Sequence, residues 1–191
     1  QSKMKTQLSY IHGVSNIPLL GETIGENFKK TVEKFPKNEA LVSAHQNYRA
    51  TYEEFYEQTT QVAKALINLG VKTGERVGIW SPNRYEWVLL QYATARIGVI
   101  LVNINPAYRT SELIFVLNQA QIYYIFASQS FKSSNYKKMV DDAREFTSTL
   151  NEEIFFDDNW DDFLNGAQNI SDEELQSFEE NVQFDDAVNI Q

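Results

Sequence analysis

The chain has 191 residues, 42% of them hydrophobic, with 12 Phe, 10 Tyr and 3 Trp, which excludes a disordered composition and supplies enough apolar mass for one core. It has no cysteine, which excludes a disulfide framework, a thiolate metal site and a Cys nucleophile. The net charge of −9 is divided unevenly: residues 1–144 carry all 17 Lys and Arg against 12 acids, whereas residues 145–191 carry 14 acids and no base, which argues against nucleic-acid binding through that second part.

The opening QSKMKTQLSY lacks the apolar core of a signal peptide, and no apolar run approaches the roughly 18 residues of a membrane span. A cytoplasmic protein is expected. Thr23 can cap a helix with Ile24, Phe28, Val32 and Phe35 on one stripe, and Pro36 ends it. Residues 40–43 read as a short strand and 45–49 as a turn. Thr51 and Glu54 have the spacing of a capping box, which starts a helix with the stripe Tyr52, Phe55, Thr59, Val62, Ala63, Leu66 and Leu69. Gly70 follows, where a left-handed cap is wanted.

Arg76–Trp80 reads as a buried strand, Ser81-Pro82-Asn83 as a turn, and Arg84–Ile97 as a helix ended by Gly98. The continuous apolar run 99–104 predicts a central strand. Thr110 opens a helix through Leu113, Val116 and Leu117. A strand at 122–126, a helix at 135–146 and a strand at 154–156 complete the alternation. Strands alternating with helices of ten to eighteen residues predict an α/β fold with a mostly parallel sheet and helices on both faces. Past Asp157 the pattern weakens into short amphipathic helices at 160–164 and 172–178 on a solvated, loosely packed acidic stretch. The resulting division is an N-terminal extension over 1–20, an α/β subdomain over 21–156 and an acidic excursion over 157–191.

Most catalytic patterns fail. The two histidines, His12 and His45, fall in predicted loops and fit structural or solvent-facing roles, and no pair has metal-ligand spacing. The acid pairs Asp157-Asp158 and Asp161-Asp162 suit solvation better than a divalent ion. Gly70, Gly74 and Gly78 lie between a helix and a strand, the reverse of a dinucleotide fingerprint, and no Walker pattern occurs. Two strand exits stand out: Ser81-Pro82-Asn83-Arg84-Tyr85-Glu86-Trp87 and Asn105-Pro106-Ala107-Tyr108-Arg109. Parallel sheets collect ligands at the carboxyl ends of their strands. The same residues also fit a structural role, with Asn83 and Thr110 as helix caps and Tyr108 packing.

The stretch SPNRYEWVLLQYATARIGVILVNINPAYRTSEL resembles the N-terminal motif of AMP-forming fatty acyl-CoA synthetases, members of the acyl-activating, adenylate-forming family. ATYEEFYEQTTQVAKALINLGVKTGERVGIW resembles the family's lead-in, and YIHGVSNIPLLGETIGENF resembles the medium-chain branch. The resemblance covers residues 8–147, and more weakly the rest. It implies the first part of a large N-terminal domain, completed by a small mobile C-terminal domain. It also implies a ligase that joins a fatty acid to ATP, with Mg2+, releases pyrophosphate, and passes the acyl group from AMP to coenzyme A. Asn105, Tyr108 and Arg109 are the substrate-binding candidates.

The family's Thr/Ser/Gly-rich phosphate loop, adenine segment, ribose-binding Asp, hinge and catalytic Lys do not occur in this sequence, so no catalytic residue is assigned. Residues 186–191 resemble the strand that leads into the phosphate loop. The 191 residues alone are therefore expected to be inactive and to hold no cofactor. Relatives can exchange segments like 1–20 between subunits, which implies a homodimer. The alternatives are a peptide-synthetase adenylation domain, a luciferase-like oxidase and a non-enzymatic interaction domain on the same fold. Asn105-Pro106 and Arg109 side with the CoA ligases, because peptide-synthetase domains tend to carry Asp-Pro and Pro at these places.

Overall fold

The computed structural model describes the backbone of residues 24–190 and the side chains of residues 26–182. The predicted extension over 1–20, with His12, and the Thr23 cap lie outside these residues.

Helix α1 (Ile24–Lys34) buries Phe28 against the rings of Phe55, Tyr56 and Tyr92. Strands β1 (Glu39–Ser43) and β2 (Tyr48–Thr51) then pair antiparallel around a 3-10 turn, Ala44–Gln46. Residues 48 and 49, expected in a turn, are thus strand. Asn47 closes the hairpin at φ 52, a left-handed conformation that Asn tolerates better than most residues. Helix α2 (Tyr52–Leu69) starts on the predicted capping box: the Thr51 hydroxyl accepts the Glu54 N–H and the Glu54 carboxylate accepts the Thr51 N–H, both at 3.2 Å. Gly70 ends it at φ 103, where a side chain would be strained.

The central sheet contains β3 (Arg76–Trp80), β4 (Ile100–Asn103), β5 (Ile122–Ala127) and β8 (Glu152–Phe155), in the order β4-β3-β5-β8 and parallel throughout. A small hairpin, β6 (Ser130–Phe131) with β7 (Ser134–Asn135), follows β5. Helices α3 (Tyr85–Arg96), α4 (Thr110–Gln119) and α5 (Tyr136–Arg144) make the crossovers. Alternation along the strands sends Val77 and Ile79 to one face and Trp80 to the other. On the first face they join Phe55, Val62, Leu66 and Leu90 of α2 and α3. On the second, Trp80, Ile122 and Ile125 join Leu113, Leu117 and Val140 of α4 and α5.

Two expectations need correction. The run 99–104 does not form a central strand. Among the described residues β4 is an edge strand, with Ile100 48% exposed and Leu101 and Val102 only half-buried. A continuous apolar run predicts burial, but it does not distinguish a strand covered on both sides from one with an open edge. The acidic stretch is also not loosely packed. Helix α6 (Trp160–Asn165), a 3-10 turn (Gly166–Asn169) and helix α7 (Asp172–Ile190) lie against the α2–α3 layer, with Trp160, Phe163, Ala167 and Leu175 buried. The spacing 160, 163, 164, 167 is one helical stripe, and the acids occupy the other side. The backbone stays helical to Ile190, so the strand expected at 186–191 is not formed. No Gly or Pro occurs after Gly166 to interrupt helix propagation.

Candidate functional site

The loop 105–109 leaves the carboxyl end of β4 and is fastened from below. The indole N–H of Trp80 donates to the Asn105 carbonyl at 2.9 Å, and the Tyr136 hydroxyl donates to the Pro106 carbonyl. These two donors stack, with ring centroids 3.6 Å apart. Both side chains are fully buried, and burial pushes the Tyr136 phenol up to about 12. Asn105 folds back so that its Oδ1 accepts the Ala107 N–H at 2.9 Å, an Asx turn.

The three candidate residues therefore separate. Asn105 shapes the loop, Tyr108 is half-buried beside the α4–α5 core, and Arg109 is exposed. Among the described residues the Arg109 guanidinium has no ion-pair partner. Arg109, rather than Thr110, occupies the N-cap position of α4, and its N–H is accepted by the Glu112 carboxylate at 3.4 Å.

The exits of β3, β5 and β8 frame a second feature, a cleft of about 380 Å³ lined by His45, Gln46, Asn83, Arg84, Ser128 and Asp157, among others. Arg84 spans it. Its two terminal nitrogens each donate to Asp157 at 2.9 Å, and its Nε donates to Glu86 at 2.8 Å. Burial by itself lowers the Arg84 pKa, but these carboxylates raise it overall. Glu86, only 2% exposed, also accepts from the Gln46 amide at 2.9 Å. Gln46 Oε1 accepts the Tyr85 N–H at 2.9 Å, so the β1–β2 hairpin, and not Asn83, satisfies the first turn of α3. Below it the Ser81 hydroxyl donates to the Pro82 carbonyl at 2.8 Å and pairs with the Ser128 hydroxyl at 2.7 Å.

Sequence reasoning found Ser81–Trp87 but missed Gln46, Ser128 and Asp157, which lie 40 or more positions from Glu86 or Ser81 in the chain. Asp157 and Asp158 are ion-paired, with Arg84 and Lys137 respectively. His45 lines the cleft with its Nδ1 3.4 Å from the Ser43 hydroxyl, which donates to Gln46 at 3.1 Å. That hydroxyl is not poised as a nucleophile. Among the described residues no three His, Cys, Asp or Glu cluster as metal ligands, and no helix is long and apolar enough to cross a membrane. These residues can hold and orient a ligand. They contain no acid–base or nucleophilic set.

A family model of AMP-binding enzymes matches residues 28–191. A medium-chain acyl-CoA ligase named as mitochondrial, from Danio rerio, is 42% identical over 132 residues, covering 69% of this chain and 22% of the relative. A putative acyl-CoA synthetase of Bacillus subtilis is 29% identical, covering 91% of this chain and 35% of the relative. The chain thus spans between a fifth and about a third of the length of these relatives. In structure it resembles a long-chain-fatty-acid-CoA ligase of Archaeoglobus fulgidus, with a TM-score of 0.70 at 22% identity over 81% of this chain and 31% of that one. It also resembles the N-terminal domain of FACL13 from Mycobacterium tuberculosis, with a TM-score of 0.68 at 22% identity over 78% of this chain and 36% of that one. With the family model matched over nearly the whole described fold, the chain belongs to the AMP-binding enzymes.

Proposed function

We propose that this chain is the first part of an AMP-forming acid–thiol ligase that uses ATP, Mg2+ and coenzyme A to activate a fatty acid. The observation that carries the reading is the family match from residue 28 to 191; the 105–109 loop after β4, and the Arg84 cleft at the exits of β3, β5 and β8, support it. A carboxylate becomes a competent electrophile once one of its oxygens has bonded to the α-phosphorus of ATP and displaced pyrophosphate, because AMP can then leave when the thiol attacks; the charge that builds on phosphate needs cationic and N–H stabilisation. Arg109 is suited to meet an anionic substrate group, Tyr108 to pack beside it, and Asn105 to hold the loop in shape. Among the described residues no cluster of side chains fits Mg2+.

The sequence contains no phosphate loop and no catalytic Lys, so the 191 residues alone are proposed to be inactive. The extension 1–20 is proposed to exchange within a homodimer. The compartment is proposed to be the cytoplasm, although the Danio rerio relative is named as mitochondrial. The test is expression of the full reading frame, with CoA thioesters and pyrophosphate measured against fatty acids, aryl acids and amino acids. ATP-dependent acyl-CoA from fatty acids only in the longer protein is the expected result. A longer protein that makes aminoacyl adenylates and no CoA thioester, or a 191-residue chain that turns over, overturns it.

A further inference from the structure

Trp80 and Tyr136 are fully buried, and each brings one polar atom into an otherwise apolar cluster with Ile104, Leu113, Leu117 and Val140. A buried N–H or O–H needs a partner, whereas an aromatic ring without one would fill the same space and make no such demand. Both polar atoms go to the 105–109 loop, and to adjacent carbonyls, those of Asn105 and Pro106. The two rings stack with 10° between their planes, so the two donors are fixed relative to each other. Each ring is held in turn by its own element. Trp80 ends β3 between the exits of β4 and β5, where the Ser128 N–H donates to its carbonyl at 3.3 Å. Tyr136 opens α5, whose N-cap Asn135 accepts the Lys138 N–H at 3.1 Å, and the Lys137 N–H donates to the Gln129 carbonyl at 3.2 Å.

The loop is fixed along its length as well. The Ile104 N–H donates to the Ile79 carbonyl at 2.9 Å, the Tyr108 N–H to the Asn105 carbonyl at 3.1 Å, and the Leu113 N–H to the Arg109 carbonyl at 3.0 Å. The Asn105 carbonyl thus takes two donors, one from within the loop and one from Trp80. We propose that Trp80 and Tyr136 are positioning residues for the reaction: by gripping the Asn105 and Pro106 carbonyls they set where Tyr108 and Arg109 stand, and through them how the anionic group of the substrate is held. Both are buried beneath the loop and act through it. A contact to substrate is only as well placed as the residues that support it, and a misplacement of about 1 Å can cost about 100-fold in rate. This assignment rests on the function proposed above, in which Arg109 meets the substrate.

The test uses the full-length protein and pyrophosphate release, which reports adenylate formation whether or not a CoA thioester follows. The acid is whichever of octanoate, palmitate, benzoate and alanine gives the highest rate. Tyr136→Phe and Trp80→Phe each keep an aromatic ring and remove one donor; if Trp80→Phe does not fold, Tyr136→Phe alone decides. With one donor remaining, kcat/KM is expected to fall by about tenfold at a temperature where the variant is folded. The Ala107 and Tyr108 amides should exchange faster. A double-mutant cycle separates positioning from general destabilisation: added to Arg109→Ala, Tyr136→Phe should lower kcat/KM by less than about twofold more. A full second loss in that background, unchanged kcat/KM in the single variants, or unchanged exchange at both amides overturns the inference. An enzyme that makes no CoA thioester contradicts the proposed function yet still gives this cycle, whereas one that releases no pyrophosphate from any of the four acids overturns both.

Discussion

At the β8 edge of the sheet, Asn159 accepts the Phe155 N–H at 2.7 Å and donates to the Glu153 carbonyl at 2.9 Å, while Arg144 donates to the Asn151 carbonyl at 2.8 Å. At the β4 edge no described side chain does this for Leu101 or Asn103, and Ile100 is left 48% exposed. Both are four-residue parallel strands of one sheet. One edge is terminated by polar side chains from the adjoining α5 and the turn before α6. The other keeps its backbone donors and acceptors and its apolar surface. An unpaired edge is an aggregation hazard unless something covers it.

On the other layer, α7 is latched over α2 and α3, and Arg96 is the latch. Its side chain is 3% exposed, donates to Thr59, Thr60 and Glu179, and lies over the Tyr56 ring. Arg96→Ala leaves these acceptors inside without their donor and should cost about 3–5 kcal/mol, measured by urea denaturation. Glu179→Gln, which keeps an acceptor, should cost clearly less. A loss under about 1 kcal/mol for Arg96→Ala would show that this contact does not fix α7 on the α2–α3 layer.

Asn159→Ala opens the closed edge. It removes partners from two backbone groups and should cost about 1–3 kcal/mol, with the Phe155 amide exchanging faster. Unchanged exchange at Phe155 would mean that this edge is covered in another way, and the contrast would fail.

Tyr136 tests the carboxyl end of the sheet. Tyr136→Phe deletes the donor to the Pro106 carbonyl and should cost about 1 kcal/mol. The phenol's pKa is raised by burial from 10.0 to about 12. Between these values the unfolded chain has already lost the proton that the folded chain retains, so stability is intact below pH 10 and falls as pH rises toward 12. Tyr48, Tyr56 and Tyr85 are raised by burial as well and act in the same sense. Thermal melts from pH 9 to 12 should show the decline, and it should be shallower in Tyr136→Phe.

Much of this architecture was legible in the sequence where local chemistry decides it. The Thr51–Glu54 box, the Gly70 cap and the alternation of strands with helices each depend on residues within a few positions of one another. Strand β2 was missed because it is four residues long and directly abuts the capping box. The Arg84 cleft was half legible: Ser81–Glu86 is local, but Gln46, Ser128 and Asp157 arrive through the β1–β2 hairpin and the β5 and β8 exits. The edge position of β4 could not be read from its composition, because strand order is a property of the crossovers. The packing of the acidic stretch was partly visible in the Trp160–Ala167 stripe, which the surrounding charge obscured.

Arg109 should have the smallest effect on the fold. It is exposed at the end of the loop, and among the described residues its guanidinium is in no ion pair. Arg109→Ala should therefore change the stability of the 191-residue chain by less than about 0.5 kcal/mol. If the guanidinium meets an anionic substrate group, the same substitution in the full-length enzyme should lower kcat/KM by about tenfold, near 1.4 kcal/mol, at unchanged Tm. Arg109→Lys should recover part of that loss if charge suffices, and little of it if a planar two-point contact is needed. A fall in Tm with kinetics intact would instead assign Arg109 to the cap of α4, where its N–H already meets Glu112. If neither quantity moves, Arg109 has no part in the site, and the cleft around Arg84 becomes the region to test at the carboxyl ends of the sheet.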